Sequence, residues 1–140
     1  MAEESTLLIV KPDAVRRGLI GEILSRVERK GLRIEDLRPM RIDRDLAERH
    51  YAEHREKPFF RDLVEFITGG DVVVARLSGR EAVGVLRSLM GATDPAKADA
   101  GTLRKEFGQS IENNATHGSD APETAAFELG YFFAGVELSR

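Results

Sequence analysis

The sequence predicts an α+β sandwich, a four-stranded antiparallel sheet covered by helices and connected β-α-β-β-α-β. Three observations carry this. The run Leu7 to Val10 has strand length and is apolar enough to be buried on both faces, Val72 to Leu77 is the clearest strand, and the stretches between them repeat apolar residues at helical spacing. A chain of 140 residues is one domain, 1–140, long enough to bury a full core. It has no cysteine, so the core must hold the fold without disulfides or thiolate metal sites.

The first strand, from Thr6 to Val10, ends at Lys11-Pro12-Asp13, because proline cannot continue a central strand. Lys11 therefore stands where a strand delivers a cation to a turn, although a surface lysine lying along apolar neighbours fits the same pattern. Between Gly18 and Gly31, Leu19, Ile20, Ile23, Leu24 and Val27 form the apolar side of an amphipathic helix. Leu32 and Ile34 alternate, as do Met40 and Ile42, which predicts a second strand interrupted by a bend at Asp36 to Pro39. Asp43 is a suitable N-cap for a helix from Arg44 to His54 that carries Leu46, Ala47, His50, Tyr51 and His54 along one side. His50 and His54 have the spacing of two zinc ligands, but Tyr51 stands where a zinc protease carries glutamate, so they are read as partly buried or solvent-facing.

Lys57-Pro58 breaks that helix, and Phe60, Leu63, Val64 and Ile67 define the next apolar stripe. Phe59 falls off the stripe, which suits either a stacking platform or a staple onto a neighbouring helix. After the turn Thr68-Gly69-Gly70-Asp71 comes the clearest strand, from Val72 to Leu77. A helix from Gly79 to Met90 follows, with Ala82, Val83, Leu86 and Met90 inward; Val85 and Leu86 occupy the places where a phosphate-binding P-loop needs Lys and Ser or Thr. Any phosphate must be held by side chains. Gly91 to Asn114 is long and weakly periodic, the mark of a functional or disordered loop, and Phe107 and Ile111 argue for order.

From Asn113 to Glu123 the chain reads NNATHGSDAPE, a histidine among small and polar groups. Neutral imidazole is a nucleophile or proton carrier near neutral pH. Asp120 with Glu123 reads as a capping box and Pro122 as a first helical residue, so this stretch alone equally fits an ordinary loop before a capped helix. The last helix, Pro122 to Phe133, is expected to bury Ala125, Ala126, Leu129, Phe132 and Phe133, and Val136 and Leu138 form a short tail suited to packing on another subunit. With a short strand before the last helix, the whole is the ferredoxin-like arrangement with inserted helices and a long loop.

Net charge is −3, which gives no global basic field to recruit nucleic acid or an anionic membrane. Arg33, Arg38, Arg41, Arg44 and Arg49 are interspersed with acids and read as a solvated face, with no specific nucleic acid expected. The start, Met1-Ala2-Glu3-Glu4, lacks the basic region and long apolar run of a signal peptide, and no apolar run spans a bilayer, so the expected location is cytoplasmic.

Core packing and capping leave Lys11, Tyr51, Phe59, Arg87, Thr93, Arg104, Asn114 and His117 unexplained. Cations, hydroxyls, an amide, an aromatic and a nucleophile suit a nucleotide phosphate. The segments IVKPDAVRRGLIGEI, HYAEHREKPFF, LMGATDPAKADAGTLR and ENNATHGSD, in order from residue 9 to residue 120, resemble those of the nucleoside diphosphate kinases.

The resemblance implies ping-pong transfer of the γ-phosphoryl group from a nucleoside triphosphate, typically ATP, to a nucleoside diphosphate, maintaining nucleotide pools. His117 matches the nucleophile, attacking through Nδ1; Glu128 matches the carboxylate that orients it, with Ser119 alongside. Lys11 and Tyr51 match groups that approach the transferred phosphoryl, and Lys11 and Asn114 also meet the ribose 3′-hydroxyl. Arg87, Thr93 and Arg104 match the phosphate-binding set, Phe59 the aromatic on which the base stacks, and Leu63 and Ile111 its apolar lining. The family carries Mg²⁺ on the nucleotide phosphates, with no direct protein ligand and Asp120 at most a water-mediated neighbour. The chain departs from the family at Thr68 to Asp71, where relatives have Ser-Gly-Pro, and at Ala98 to Gly101, which lacks a Pro-Gly pair. Loop and tail are most similar to bacterial members, which points to a homo-oligomer, a tetramer over a hexamer. The alternatives are a nucleotide-binding module without the chemistry and a nucleic-acid-binding protein.

Overall fold

The computed structural model describes residues 3–111 and 113–133. Its strands are β1 (Glu3–Val10), β2 (Arg33–Met40), β3 (Val72–Arg80) and β4 (Thr116–Gly118). They form one antiparallel sheet in the order β2-β3-β1-β4, the ferredoxin-like order. The helices are α1 (Pro12–Arg16), α2 (Ile20–Arg29), α3 (Arg44–His50), α4 (Phe60–Thr68), α5 (Ala82–Met90), α6 (Leu103–Phe107) and α7 (Pro122–Phe132), with 3-10 turns at Ala52–His54 and Pro95–Lys97.

The continuous apolar run of β1 has a simple cause: helices cover both faces of the sheet. Leu8 and Val10 pack with Ile23 and Val27 of α2 and Leu86 and Met90 of α5, while Leu7 and Ile9 pack with Val64 and Ile67 of α4 and Leu129 and Phe132 of α7. Strand alternation sends successive residues to opposite faces, so one sequence run feeds two cores.

Several expected boundaries are corrected. β2 runs through Asp36 to Pro39 without breaking: the irregularity is a bulge between Ile34 and Asp36, and Pro39 pairs with Val73 on an edge strand, where its missing N–H is tolerated. The helix from Arg44 stops at His50 and gives way to a 3-10 turn. Gly79 lies in β3, and α5 starts at Ala82 after Glu81 takes a left-handed φ of 52°. The segment after Gly91 carries the Pro95–Lys97 turn and α6. Asp43 caps α3 as expected, accepting from the Leu46 N–H at 2.8 Å. The capping box at α7 does not form: Pro122 is the first helical residue, but the N-cap is Ala121 and no side chain caps it. Ala126 is exposed, and Glu128 takes a buried place on that helix instead. Val136 and Leu138 lie outside the described residues.

The five arginines read as a solvated face are mostly paired. Arg33 pairs with Glu3 and Glu35, Arg38 with Asp36, Arg41 with Asp71 and Arg44 with Glu48, while Arg49 lies over the Tyr131 ring. No helix among the described residues is long and apolar enough to cross a membrane.

Candidate active site

His117 is the middle residue of β4, opposite Ile9, so its side chain takes the sheet face covered by α3, α4 and α7. Its neighbour Gly118 faces the other way, where a Cβ would come within 2.6 Å of Met90 Cε and 2.9 Å of Leu86 Cδ2. Glycine lets this short strand press against α5. Two residues earlier, buried Ala115 adopts a left-handed φ of 76°, a conformation that costs an L-residue roughly 1–2 kcal/mol. Two bonds hold it there: its N–H donates to Asp13 Oδ2 at 3.1 Å, and its carbonyl accepts from the Lys11 N–H at 2.9 Å. The Lys-Pro-Asp turn is thus the clamp of the histidine segment.

Nearly two turns into α7, Glu128 lies behind the imidazole. Its Oε1 accepts from the Ser119 hydroxyl at 2.7 Å and faces His117 Nε2 at 3.2 Å. With Nε2 so engaged, Nδ1 is the ring nitrogen left for chemistry. Burial first, then the charges of Lys11 and Arg104, pushes the His117 pKa down to about 3, with Asp120 opposing. Burial also raises the Glu128 pKa, against the Ser119 hydrogen bond.

In front of His117 opens a cavity of about 540 Å³. Lys11, Tyr51, Phe59, Leu63, Arg87, Thr93, Arg104, Ile111, Asn114 and Asp120 line it together with His117 and Glu128; Ser119 stands behind, on Glu128. Lys11 Nζ donates to Asn114 Oδ1 at 2.8 Å, and Asn114 Nδ2 donates to the Thr93 carbonyl at 3.1 Å, which ties three elements distant in sequence. Arg104 donates through its two terminal nitrogens to the carbonyls of Gly91 and Thr116, both at 3.0 Å, and its Nε is buried without a partner among the described residues. Burial, helped by Arg87, lowers its pKa to about 10. Arg87 pairs with Asp120 at 2.7 Å, the contact that Asp120 makes in place of a cap. At the outer end Phe59 and Ile111 are exposed apolar groups, with the His54 ring 5.6 Å from that of Phe59. Tyr51 is buried, which raises its pKa.

Sequence reasoning missed Asp13, for which a carboxylate just past a buried strand was a usable signal, and it put His50 on the same helix side as Ala47 and Tyr51 without assigning it to the site. The His50 side chain is almost fully buried, its ring edge-on to His117 with centroids 4.4 Å apart, and its Nδ1 meets the Tyr131 hydroxyl at 3.0 Å. Among the described residues, His50, His117 and Glu128 form the one group of three metal-ligating side chains, and two imidazoles do not suit magnesium. At the cationic end Asp120, exposed beside Arg87, is a single carboxylate, which fits a hard cation that arrives on nucleotide phosphates.

A family model described as nucleoside diphosphate kinase matches residues 4–138. A nucleoside diphosphate kinase of Rubrobacter xylanophilus is 60% identical over 132 residues, covering 94% of this chain and 99% of the relative. One from Nitrosospira multiformis is 57% identical over 138 residues, covering 99% and 98%. Among solved structures, the Aquifex aeolicus nucleoside diphosphate kinase superposes with a TM-score of 0.93 at 42% identity, covering 97% of this chain and 99% of that one. The Halobacterium salinarum enzyme in complex with CDP also gives 0.93, at 46% identity over 97% and 91%. With a matching sequence, a matching fold and a histidine facing a cationic cavity, the chain belongs to the nucleoside diphosphate kinase family and is a phosphotransferase.

Proposed function

We propose that the whole chain, residues 1–140, works as one catalytic domain in which His117 Nδ1 accepts the γ-phosphoryl group of a nucleoside triphosphate and passes it to a nucleoside diphosphate. The observation that carries this is the division of space around the imidazole, with Glu128 and Ser119 behind Nε2 and an open cationic cavity in front. In the first half-reaction the Nδ1 lone pair bonds to the γ-phosphorus, the bond to the β–γ bridging oxygen breaks, and that oxygen leaves on the diphosphate. The ring becomes cationic as it attacks, and Glu128 faces the nitrogen that carries the proton. The second half-reaction reverses these steps on a different diphosphate, so one site serves both.

Charge in such a transfer stays on the phosphate oxygens, and fixed donors stabilise it. Lys11 and Tyr51 are assigned to the transferred group, Arg87, Thr93 and Arg104 to the remaining phosphates, and Asn114 with Lys11 to the ribose hydroxyl. Arg104 arrives already anchored by two backbone carbonyls, which fixes its position before the nucleotide binds. Mg²⁺ bound to the nucleotide phosphates supplies charge neutralisation, with Asp120 at most its water-mediated neighbour. Phe59, flanked by Leu63 and Ile111, stacks on the base, and since every base has a π-face the enzyme accepts all of them. We further assign a homo-oligomer, a tetramer before a hexamer, acting in the cytoplasm.

Incubation of the pure protein with γ-labelled ATP and no acceptor tests the reading. An acid-labile, alkali-stable phosphoprotein is expected, discharged by any nucleoside diphosphate. A protein that binds nucleotide and stays unlabelled would make this a binding module.

A further inference from the structure

The Glu128 carboxylate lies between two imidazoles, one oxygen toward each. Oε1 is 3.2 Å from His117 Nε2, and Oε2 is 3.8 Å from His50 Nδ1. One ligand atom from each of His50, His117 and Glu128 lies within 4.8 Å of the other two. Two histidines and one glutamate are a zinc-ligand set, completed by an open fourth position. All three residues line the cavity, which admits an ion and leaves room for a water. His50 has a ligand atom to spare: its Nδ1 has the Tyr131 hydroxyl, and its Nε2 is buried without a partner among the described residues.

We propose that the nucleotide-free enzyme binds a borderline divalent transition metal, with zinc as the representative ion, between His50, His117 and Glu128, and that this ion silences the nucleophile. Ligands around a tetrahedral zinc sit about 3.4 Å apart, so the three atoms must draw together by roughly an ångström, within reach of side-chain rotation. The inhibition follows from the ring's proton. A metal takes the lone pair of His117 Nε2, so the single proton of the neutral ring moves to Nδ1, and Nδ1 then has no lone pair with which to attack phosphorus. No redox change and no other reactant is needed. Magnesium is excluded from this position because a hard ion prefers oxygen donors, so the ion that serves the nucleotide does not inhibit. This inference rests on His117 being the nucleophile, but zinc binding itself does not.

The test is calorimetric titration of the nucleotide-free full chain with a zinc salt, with the same titration on variants. One zinc per chain is expected, with affinity at least about tenfold weaker in His50→Phe and in the hydrogen-bonding variant His50→Gln. His54→Gln, which removes the neighbouring histidine that faces Glu53, should bind as wild type. Cobalt in the wild-type protein should give the intense visible bands of a four-coordinate site, a readout that needs no variant. Enzyme preloaded with zinc should form phosphohistidine at least about tenfold more slowly, and a chelator should restore the rate. Absence of binding, a six-coordinate cobalt spectrum, or binding indifferent to His50 and lost with His54 overturns the proposal. A protein that binds zinc at His50 but never becomes phosphorylated would sink the kinase assignment of His117 and leave the metal site standing.

Discussion

Asp13→Ala asks how the nucleophile is kept in place. In the wild type the buried Ala115 N–H donates to a carboxylate, a charge-assisted bond worth roughly 1.5–3 kcal/mol. That bond opposes the roughly 1–2 kcal/mol cost of the left-handed conformation at Ala115. Alanine at position 13 leaves a buried donor unpaired and the turn unopposed, so the segment carrying Asn114 and His117 should relax by about 3 kcal/mol, or about 100-fold in the population that presents His117 correctly. Rapid-quench measurement of phosphoenzyme formation at saturating ATP should show that loss, with cooperative melting as evidence of folding. Ala115→Gly, added to Asp13→Ala, removes the conformational penalty and should return about 1 kcal/mol, roughly fivefold in rate. A folded Asp13→Ala enzyme at the wild-type rate, or a double variant no faster than the single one, would refute the clamp.

Other predictions address the pocket, the core and pH. Phe59→Ala should weaken every nucleotide by a similar factor, about 1–3 kcal/mol by equilibrium binding, because stacking is blind to base identity; a loss confined to one base would contradict this. Gly118→Ala should lower the melting temperature, at a cost of about 1–3 kcal/mol, because its methyl group enters the Met90 and Leu86 side chains; an unchanged melt would mean that α5 yields freely. His117 and His50, both with pKa values lowered to about 3, should show no imidazole titration by NMR between neutral pH and about pH 4. The stability consequence has a definite sign. The unfolded chain takes up protons at these residues below about pH 6.5 while the folded chain does not, so their contribution is complete above that pH and is lost as pH falls toward about 3. A urea midpoint that rises on acidification through that window would contradict it.

The sandwich was legible because the cores of β1 and β3 are short, rich in Val, Ile and Leu, and bounded by turn residues, which favours buried strands over helices. Boundaries were less so, for local reasons. Pro39 reads as a breaker unless its strand is known to be an edge, and Gly79 reads as helical until β3 is seen to need it for pairing with Glu4. At the site, the residues named from the sequence line one cavity, except Ser119, which stands behind Glu128, but the capping box was misread because Asp120 finds Arg87, 33 residues away, a better partner than a helix amide. Asp13 and His50 act through contacts 102 and 81 residues distant in sequence. No local pattern encodes such contacts, and only the closed sheet brings them together.

The chemistry turns on which ring nitrogen of His117 carries the phosphoryl group. Phosphorus and nitrogen NMR of the alkali-stable phosphoenzyme, prepared with ¹⁵N-labelled histidine, reads that directly. With Nε2 held toward Glu128, coupling to Nδ1 alone is predicted; phosphorus bonded to Nε2, or label on any residue other than His117, would contradict it.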